Sequence, residues 1–335
     1  MSAERLSAAD AGAGRVPDFF IVGHHKSGTT AMYQMLRPHP QIYMPEMKEP
    51  EFFGRDLARR QRAPQADRRA PSYAQSRPRS YGEYLRLFAA ARPDQRAGEA
   101  SPSYLASPTA AGAIAAVQPA ARIIAILREP ASFLYSLHLQ MLRNHVQSEP
   151  DLAKAIAAEG ELRERAGEDA AAGRYLDRVR YVEQLRRYHE AFSREQVLVL
   201  IYDDFRADNE ATVRRVLRFL DVDADAPIPR VEANPSLAAR SPALDRWSHA
   251  LRTGRGPVSR GVKTTTRALI PSRLRRRAVS TIQRKVVYAP APAPDAATMV
   301  ELRRRCKGEV QALSGYLGRD LVALWGYEQI ASPGE

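Results

Sequence analysis

An apolar run, residues 18–23 (DFFIVG), stops at a glycine and passes into Gly23-His24-His25-Lys26-Ser27-Gly28-Thr29-Thr30, and a helical pattern opens at once over 29–36. A buried strand, a glycine-bearing turn and a helix N-terminus in direct succession aim unpaired backbone N–H groups and the positive end of a helix dipole at one point, where an anion can sit. Compared with the triphosphate loop G-x-x-x-x-G-K-[ST], Gly23 and Gly28 keep the spacing, but Thr29 stands in the lysine position and the loop's lysine is Lys26. The displaced lysine suits an oxygen that bridges a 5′-phosphate to a transferable group better than the outer phosphates of a metal-bound triphosphate.

Further apolar runs of strand length alternate with helical stretches, the pattern of a parallel sheet covered on both faces. Residues 41–44, 98–101, 122–127 and 196–202 are the other strand candidates; helices are expected over 81–89, 109–117, 131–145, 174–192, 211–220 and 296–316, with a last helical stretch over 317–327. The fold class is therefore α/β: a P-loop-like, three-layer domain with a central, mostly parallel five-stranded sheet between helices. Residues 1–17 read as a disordered leader without the apolar core of a secretory signal. Residues 18–335 read as a single domain in which 55–80 and 235–294 are insert or lid segments.

Charge narrows the partners. The chain carries a formal +13, and residues 240–290 hold thirteen Lys and Arg against the single acid Asp245, so nearly all the imbalance is local. Trp247 and Tyr288 are the only aromatics there, too few for stacking on single-stranded nucleic acid, and no nucleic-acid partner is expected. The segment instead suits a lid over an anionic acceptor or a peripheral contact with an anionic membrane surface, and a solvated basic surface accounts for it equally well. No apolar run approaches the roughly 18 residues of a membrane span, and Cys306 is the sole cysteine, so the reading is a soluble, cytoplasmic chain without disulfides.

Two more segments carry candidate chemistry. Residues 122–145 place Arg128 at the end of a buried strand, where ligands of open α/β sheets collect, and Ser136 on the following helix with Phe133, Leu137 and Gln140 on one face. From the residues alone, Arg128 is as much a salt-bridge partner as a phosphate ligand. The stretch Lys48-Glu49-Pro50-Glu51-Phe52-Phe53 could supply a base tuned by burial and a neighbouring cation; on the residues alone, an exposed charged turn with an aromatic anchor has the edge. Adjacent His24 and His25 read as loop spacers, and no metal site is expected from them.

Taken together, 19–36 (FFIVGHHKSGTTAMYQML), the following His39-Pro40, and 122–145 resemble the sulfotransferases that use 3′-phosphoadenosine 5′-phosphosulfate (PAPS), close to the bacterial and heparan-sulfate-type carbohydrate branch. The resemblance implies a 5′-phosphosulfate loop at Lys26, Ser27, Gly28, Thr29 and Thr30, and 3′-phosphate contacts from Arg128 and Ser136. It also implies Glu49 as the base that deprotonates the acceptor, Lys26 and Lys48 as catalytic cations, and PAPS as donor co-substrate with no metal. Glu51 stands where relatives carry histidine or a neutral residue, which keeps it open as a second base. Weaker matches place Ser101 and Tyr104 of 98–105 near the cleft and allow a nucleotide contact from Asn234. The expected acceptor is a small molecule, a glycan or a lipid-linked sugar, through a hydroxyl or amine. The rival readings are a P-loop kinase using ATP-Mg and a basic module that binds anionic surfaces.

Overall fold

The computed structural model describes residues 15–54, 77–144, 146–166, 175–229, 231, 237–239, 288–290 and 293–331. Five strands, β1 (Phe19–Gly23), β2 (Ile42–Tyr43), β3 (Arg96–Ala100), β4 (Arg122–Leu127) and β5 (Val197–Ile201), pair in the order β2-β3-β1-β4-β5, and every pairing is parallel. β1 has no exposed residue. Phe19 and Ile21 pack into a core cluster with Met32 and Leu36 of α1 (Thr29–Leu36) and Val213 and Val216 of α8 (Asn209–Phe219), while the next residue round the pleat, Phe20, meets Phe53 edge-on at 6.0 Å. Both faces of the sheet are therefore covered, which is why β1, β4 and β5 read as nearly continuous apolar runs.

Between these lie α2 (Tyr81–Arg86), α3 (Ala110–Val117), α4 (Pro130–Arg143), α5 (Leu152–Ala166), α6 (Tyr181–Ala191) and α7 (Tyr202–Ala207); α9 (Ala296–Leu317) and α10 (Leu321–Leu324) follow. The order of the sheet fixes where a ligand belongs. The chain leaves β1 towards β2 on one side and leaves β4 towards β5 on the other, so these adjacent strands form a switch point with a crevice at their carboxyl ends.

Several bounds differ from the sequence reading, each for a local reason. The strand expected over 98–101 begins at Arg96 and ends at Ala100, because its backbone joins Gln41 and Asp18 through bonds that hydropathy does not register. The helix expected over 174–192 is divided into a 3₁₀ turn (Leu176–Val179) and α6 by Arg180, whose φ −76, ψ 65 is not helical. The polar helix α5 and the short α7 were not anticipated. The stretch over 317–327 contains only one helical turn, α10.

The chain forms two compact units. One comprises Met1–Leu134, Ile156–Glu232 and Met299–Glu335 and holds the whole five-stranded sheet; the other comprises Tyr135–Ala155 and Ala233–Thr298. In the second, β6 (Leu237–Ala239) pairs antiparallel with β7 (Tyr288–Pro290), Ala238 opposite Ala289. Residues 1–14 of the expected leader, 55–76 of the first insert, Asn234, and 240–287 of the basic segment lie outside the described residues. Among the described residues no helix is long and apolar enough to cross a membrane.

Candidate active site

The turn after β1 is shaped by backbone that side chains would resist. Gly23 has φ 140, and a Cβ there would lie 2.7 Å from the Ile126 carbonyl oxygen of β4. Gly28 has φ 85 and forms the N-cap of α1, with no side chain capping the helix; a Cβ there would lie 2.8 Å from the Phe205 ring. Between them Lys26 also has a left-handed φ of 68. The first intrahelical bond runs from the Met32 N–H to the Gly28 carbonyl at 3.0 Å. Thr29, Thr30 and Ala31 thus present N–H groups that the helix itself cannot satisfy. Ser27 is fully buried, and its Oγ has no hydrogen-bond partner among the described residues. Unsatisfied amides, an orphaned hydroxyl and a helix N-terminus at one turn are a donor set that fits a phosphate or sulfate group.

The histidines of this turn are more than spacers, which corrects the sequence reading. His24 is buried, with its ring 4.6 Å from Phe133 and 5.1 Å from Tyr181. Gln184 donates its amide N–H₂ to the carbonyls of Asp177 (3.1 Å) and Arg178 (3.2 Å), so its Oε1 is left to accept from His24 Nε2 at 3.0 Å. Burial above all, with Arg178 and His25 adding to it, lowers His24 to about 3. His24 is a neutral donor that fastens the loop to α6. His25 is lowered to about 4, chiefly by burial; Glu49 opposes this, and Arg178, Lys48 and Arg77 add to it. The charges of Glu49, Lys48 and Arg77 thus act on His25.

Arg128, just past β4, donates from Nη1 to the Lys26 carbonyl at 2.9 Å and lies 5.1 Å from the centre of the Tyr202 ring. One donor of its guanidinium thus fixes the left-handed peptide of Lys26, and the site's two expected anchors meet at the β1–β4 switch point. Ser136 is buried on α4 in the stretch assigned to the second unit. The remaining expected nucleotide ligands, Lys26 to Thr30 and Arg128, belong to the first unit.

The segment after β2 contains two non-glycine residues in the left-handed region, Glu49 (φ 63) and Glu51 (φ 51), on either side of Pro50. Each costs about 1–2 kcal/mol relative to ordinary backbone. Lys48 forms an ion pair with Glu49, and Arg77 with Glu51. Burial would raise Glu49, but His25, Lys48 and Arg77 together hold it below the usual carboxylate range, so it is ionised at neutral pH and can accept a proton. Glu51 goes the other way: burial and the Glu49 charge raise it against the pull of Arg77. Neighbouring carboxylates with opposite shifts are the arrangement from which acid and base roles are divided. Phe52 and Phe53 anchor the segment, Phe52 stacked on Tyr84 at 4.9 Å and Phe53 edge-on to Tyr104 at 6.0 Å.

The sequence gives no local signal for Arg77, Arg178, Gln184, Tyr202 or Phe205, which reach the site from distant segments. Arg178 is lowered by burial, with Glu159 and Glu51 opposing.

Comparison with known proteins agrees with this geometry. Over residues 17–226 the chain matches the model of the sulfotransferase family. It is 26% identical over 270 residues to carbohydrate sulfotransferase 15 of Mus musculus, covering 68% of this chain and 47% of that protein. It is 22% identical over 218 residues to the bifunctional heparan sulfate N-deacetylase/N-sulfotransferase 1 of Caenorhabditis briggsae, covering 62% and 23%. The chain thus spans less than half the length of these curated relatives. The crystal structure of a sulfotransferase from Alicyclobacillus acidocaldarius superposes with a TM-score of 0.55 at 29% identity, over 70% of this chain and 91% of that one. With the family match enclosing the phosphate loop, the glutamate segment and Arg128, the chain belongs to the sulfotransferase family.

Proposed function

We propose that the protein transfers the sulfuryl group of PAPS to a hydroxyl or amine of a carbohydrate-type acceptor. The observation that carries this reading is the turn after β1, where the uncapped N-terminus of α1, the orphaned Ser27 hydroxyl and the Arg128 guanidinium bonded to the Lys26 carbonyl come together. The loop's donors, including the orphaned Ser27 hydroxyl, fit the 5′-phosphosulfate, and Arg128 would reach the same nucleotide from the adjacent strand. Glu49 takes the proton of the acceptor as its oxygen or nitrogen forms the new bond to sulfur. The bond from sulfur to the 5′-phosphate oxygen breaks, its electron pair stays on that oxygen, and Lys26 stabilises the charge that develops there. The product nucleotide is 3′,5′-ADP. Lys48, paired with Glu49, keeps the base ionised between turnovers. The relatives named above favour sulfuryl transfer to a carbohydrate over phosphoryl transfer from ATP.

Calorimetric titration with 3′,5′-ADP, ATP-Mg and 5′-AMP tests the donor. Submillimolar affinity is expected for 3′,5′-ADP alone, weakened by Lys26→Ala and by Arg128→Ala; tight ATP-Mg binding would overturn the reading. For the chemistry, Glu49→Gln should keep nucleotide affinity and lower transfer by about a hundredfold or more. If Glu51→Gln does so in its place, Glu51 is the base.

A further inference from the structure

Glu99 is the penultimate residue of β3, 1% exposed, and among the described residues it forms no ion pair. Its carboxylate accepts three hydroxyls: Tyr84 (2.7 Å) and Tyr104 (3.0 Å) at Oε1, and Ser101 (2.7 Å) at Oε2. Burial pushes the carboxyl up to about 7 even though all three hydroxyls favour the charged form. An unpaired carboxylate in the interior is costly to folding, and an uncharged side chain there would avoid that cost.

What the placement achieves appears on the far side of those hydroxyls. Ser101 Oγ accepts the Glu51 N–H at 3.2 Å, and the Tyr104 hydroxyl accepts the Phe53 N–H at 3.2 Å. A backbone N–H can only donate, so each hydroxyl accepts from the glutamate segment through a lone pair and is left to give its own proton to Glu99. A third bond, from the Glu49 N–H to the Ala100 carbonyl at 3.1 Å, ties the same segment to the residue beside Glu99. These bonds hold the stretch in which Glu49 and Glu51 adopt left-handed backbone.

We propose that Glu99 is the positioning residue of the catalytic loop: through the hydroxyls of Ser101 and Tyr104 it fixes the backbone of Glu51 and Phe53 and so aims Glu49 at the acceptor. The catalytic half of this inference rests on the reading of Glu49 as the base; the anchoring half does not.

The test uses the full chain and needs no identified acceptor. Hydrogen exchange is followed by mass spectrometry on peptides covering 48–54 and 23–30, alongside 3′,5′-ADP affinity and release of 3′,5′-ADP from PAPS with water as acceptor. Glu99→Gln and Glu99→Leu should speed exchange in 48–54 about tenfold, leave 23–30 and nucleotide affinity within twofold, and lower kcat with KM for PAPS unchanged. The pair Ser101→Ala with Tyr104→Phe should give the same exchange change, and adding Glu99→Gln to that pair should add nothing, since all act through one connection. Exchange in 48–54 that stays within twofold in the Glu99 variants, or that rises equally in 23–30, would overturn the proposal. Should Glu99→Leu fail to fold, the Gln variant and the hydroxyl pair decide. Full turnover in Glu49→Gln would remove the base reading while the exchange result still judges the anchoring.

Discussion

Ser27 offers a substitution whose two effects have opposite signs. Its Oγ is fully buried without a hydrogen-bond partner among the described residues, and a buried hydroxyl left unpaired costs about 1–3 kcal/mol. Ser27→Ala removes that cost and little volume, so the free protein should gain about 1 kcal/mol, or about 2 °C in Tm for a chain of this size. In the nucleotide complex the same hydroxyl would bond a charged oxygen of the 5′-phosphate, an interaction worth about 1.5–3 kcal/mol, so 3′,5′-ADP should bind the variant about tenfold to a hundredfold more weakly. Ligand at 100 times the wild-type Kd stabilises wild type by about 2.7 kcal/mol but a tenfold weaker binder by only about 1.4 kcal/mol. Thermal scans should therefore place the variant above wild type without nucleotide, with the gap closing or reversing at saturation. A variant less stable than wild type when free would mean that the hydroxyl is satisfied within the protein. Unchanged affinity in calorimetry would mean that the loop does not grip the phosphate.

Gly28→Ala should cost about 2–4 kcal/mol in urea unfolding, because it combines a left-handed φ of 85 with a Cβ 2.8 Å from Phe205 and 3.2 Å from Tyr202, on which Arg128 lies; an unchanged midpoint would refute the packing argument. The pH dependence of stability separates His24 from Glu99. His24 falls from an ordinary 6.5 to about 3, so between those values only the unfolded chain takes up its proton, and stability falls on acidification by up to about 1.4 kcal/mol per pH unit. In His24→Phe that limb should be shallower by about one proton between pH 5 and 6. Glu99, raised from 4.5 to about 7, works in the reverse direction: the folded chain keeps a proton that the unfolded chain loses, so its contribution grows on acidification through that window. Glu99→Gln should therefore lose stability more steeply than wild type as pH drops from 7 to 4.5; equal slopes in urea titrations would contradict the shift.

The parts of the fold that were legible are those in which one stretch of chain carries its own explanation. Residues 122–127 and 29–36 take the bounds expected of them, since β4 is an almost unbroken apolar strand and α1 opens on its phosphate turn. β3 (RAGEA) was harder to place: it has few apolar side chains, its glycine makes room for the Phe19 ring, and its buried acid is satisfied by hydroxyls from three places along the chain. Hydropathy scores such a strand as polar. His24 misled for the converse reason, because nothing beside it in sequence announces Phe133, Tyr181 or Gln184 as its surroundings.

The same logic accounts for the distribution of the site itself. The order β2-β3-β1-β4-β5 makes β3 and β4 the two neighbours of β1, although about twenty residues of sequence separate those two from each other and more separate them from β1. The phosphate turn extends β1, Arg128 extends β4, and the acceptors that hold the glutamate segment extend β3. Three parallel strand ends, each rigid because it is buried on both faces, thus set the separation between the N–H donors of the turn after β1 and Glu49, while the segment carrying Glu49 supplies little regular structure of its own. Precision in such a site has to come from the bonds between the segment and the strand ends, and two of those bonds pass through hydroxyls that converge on Glu99. A carboxylate that the core would be better off without is then the expected cost of holding two left-handed glutamates in place.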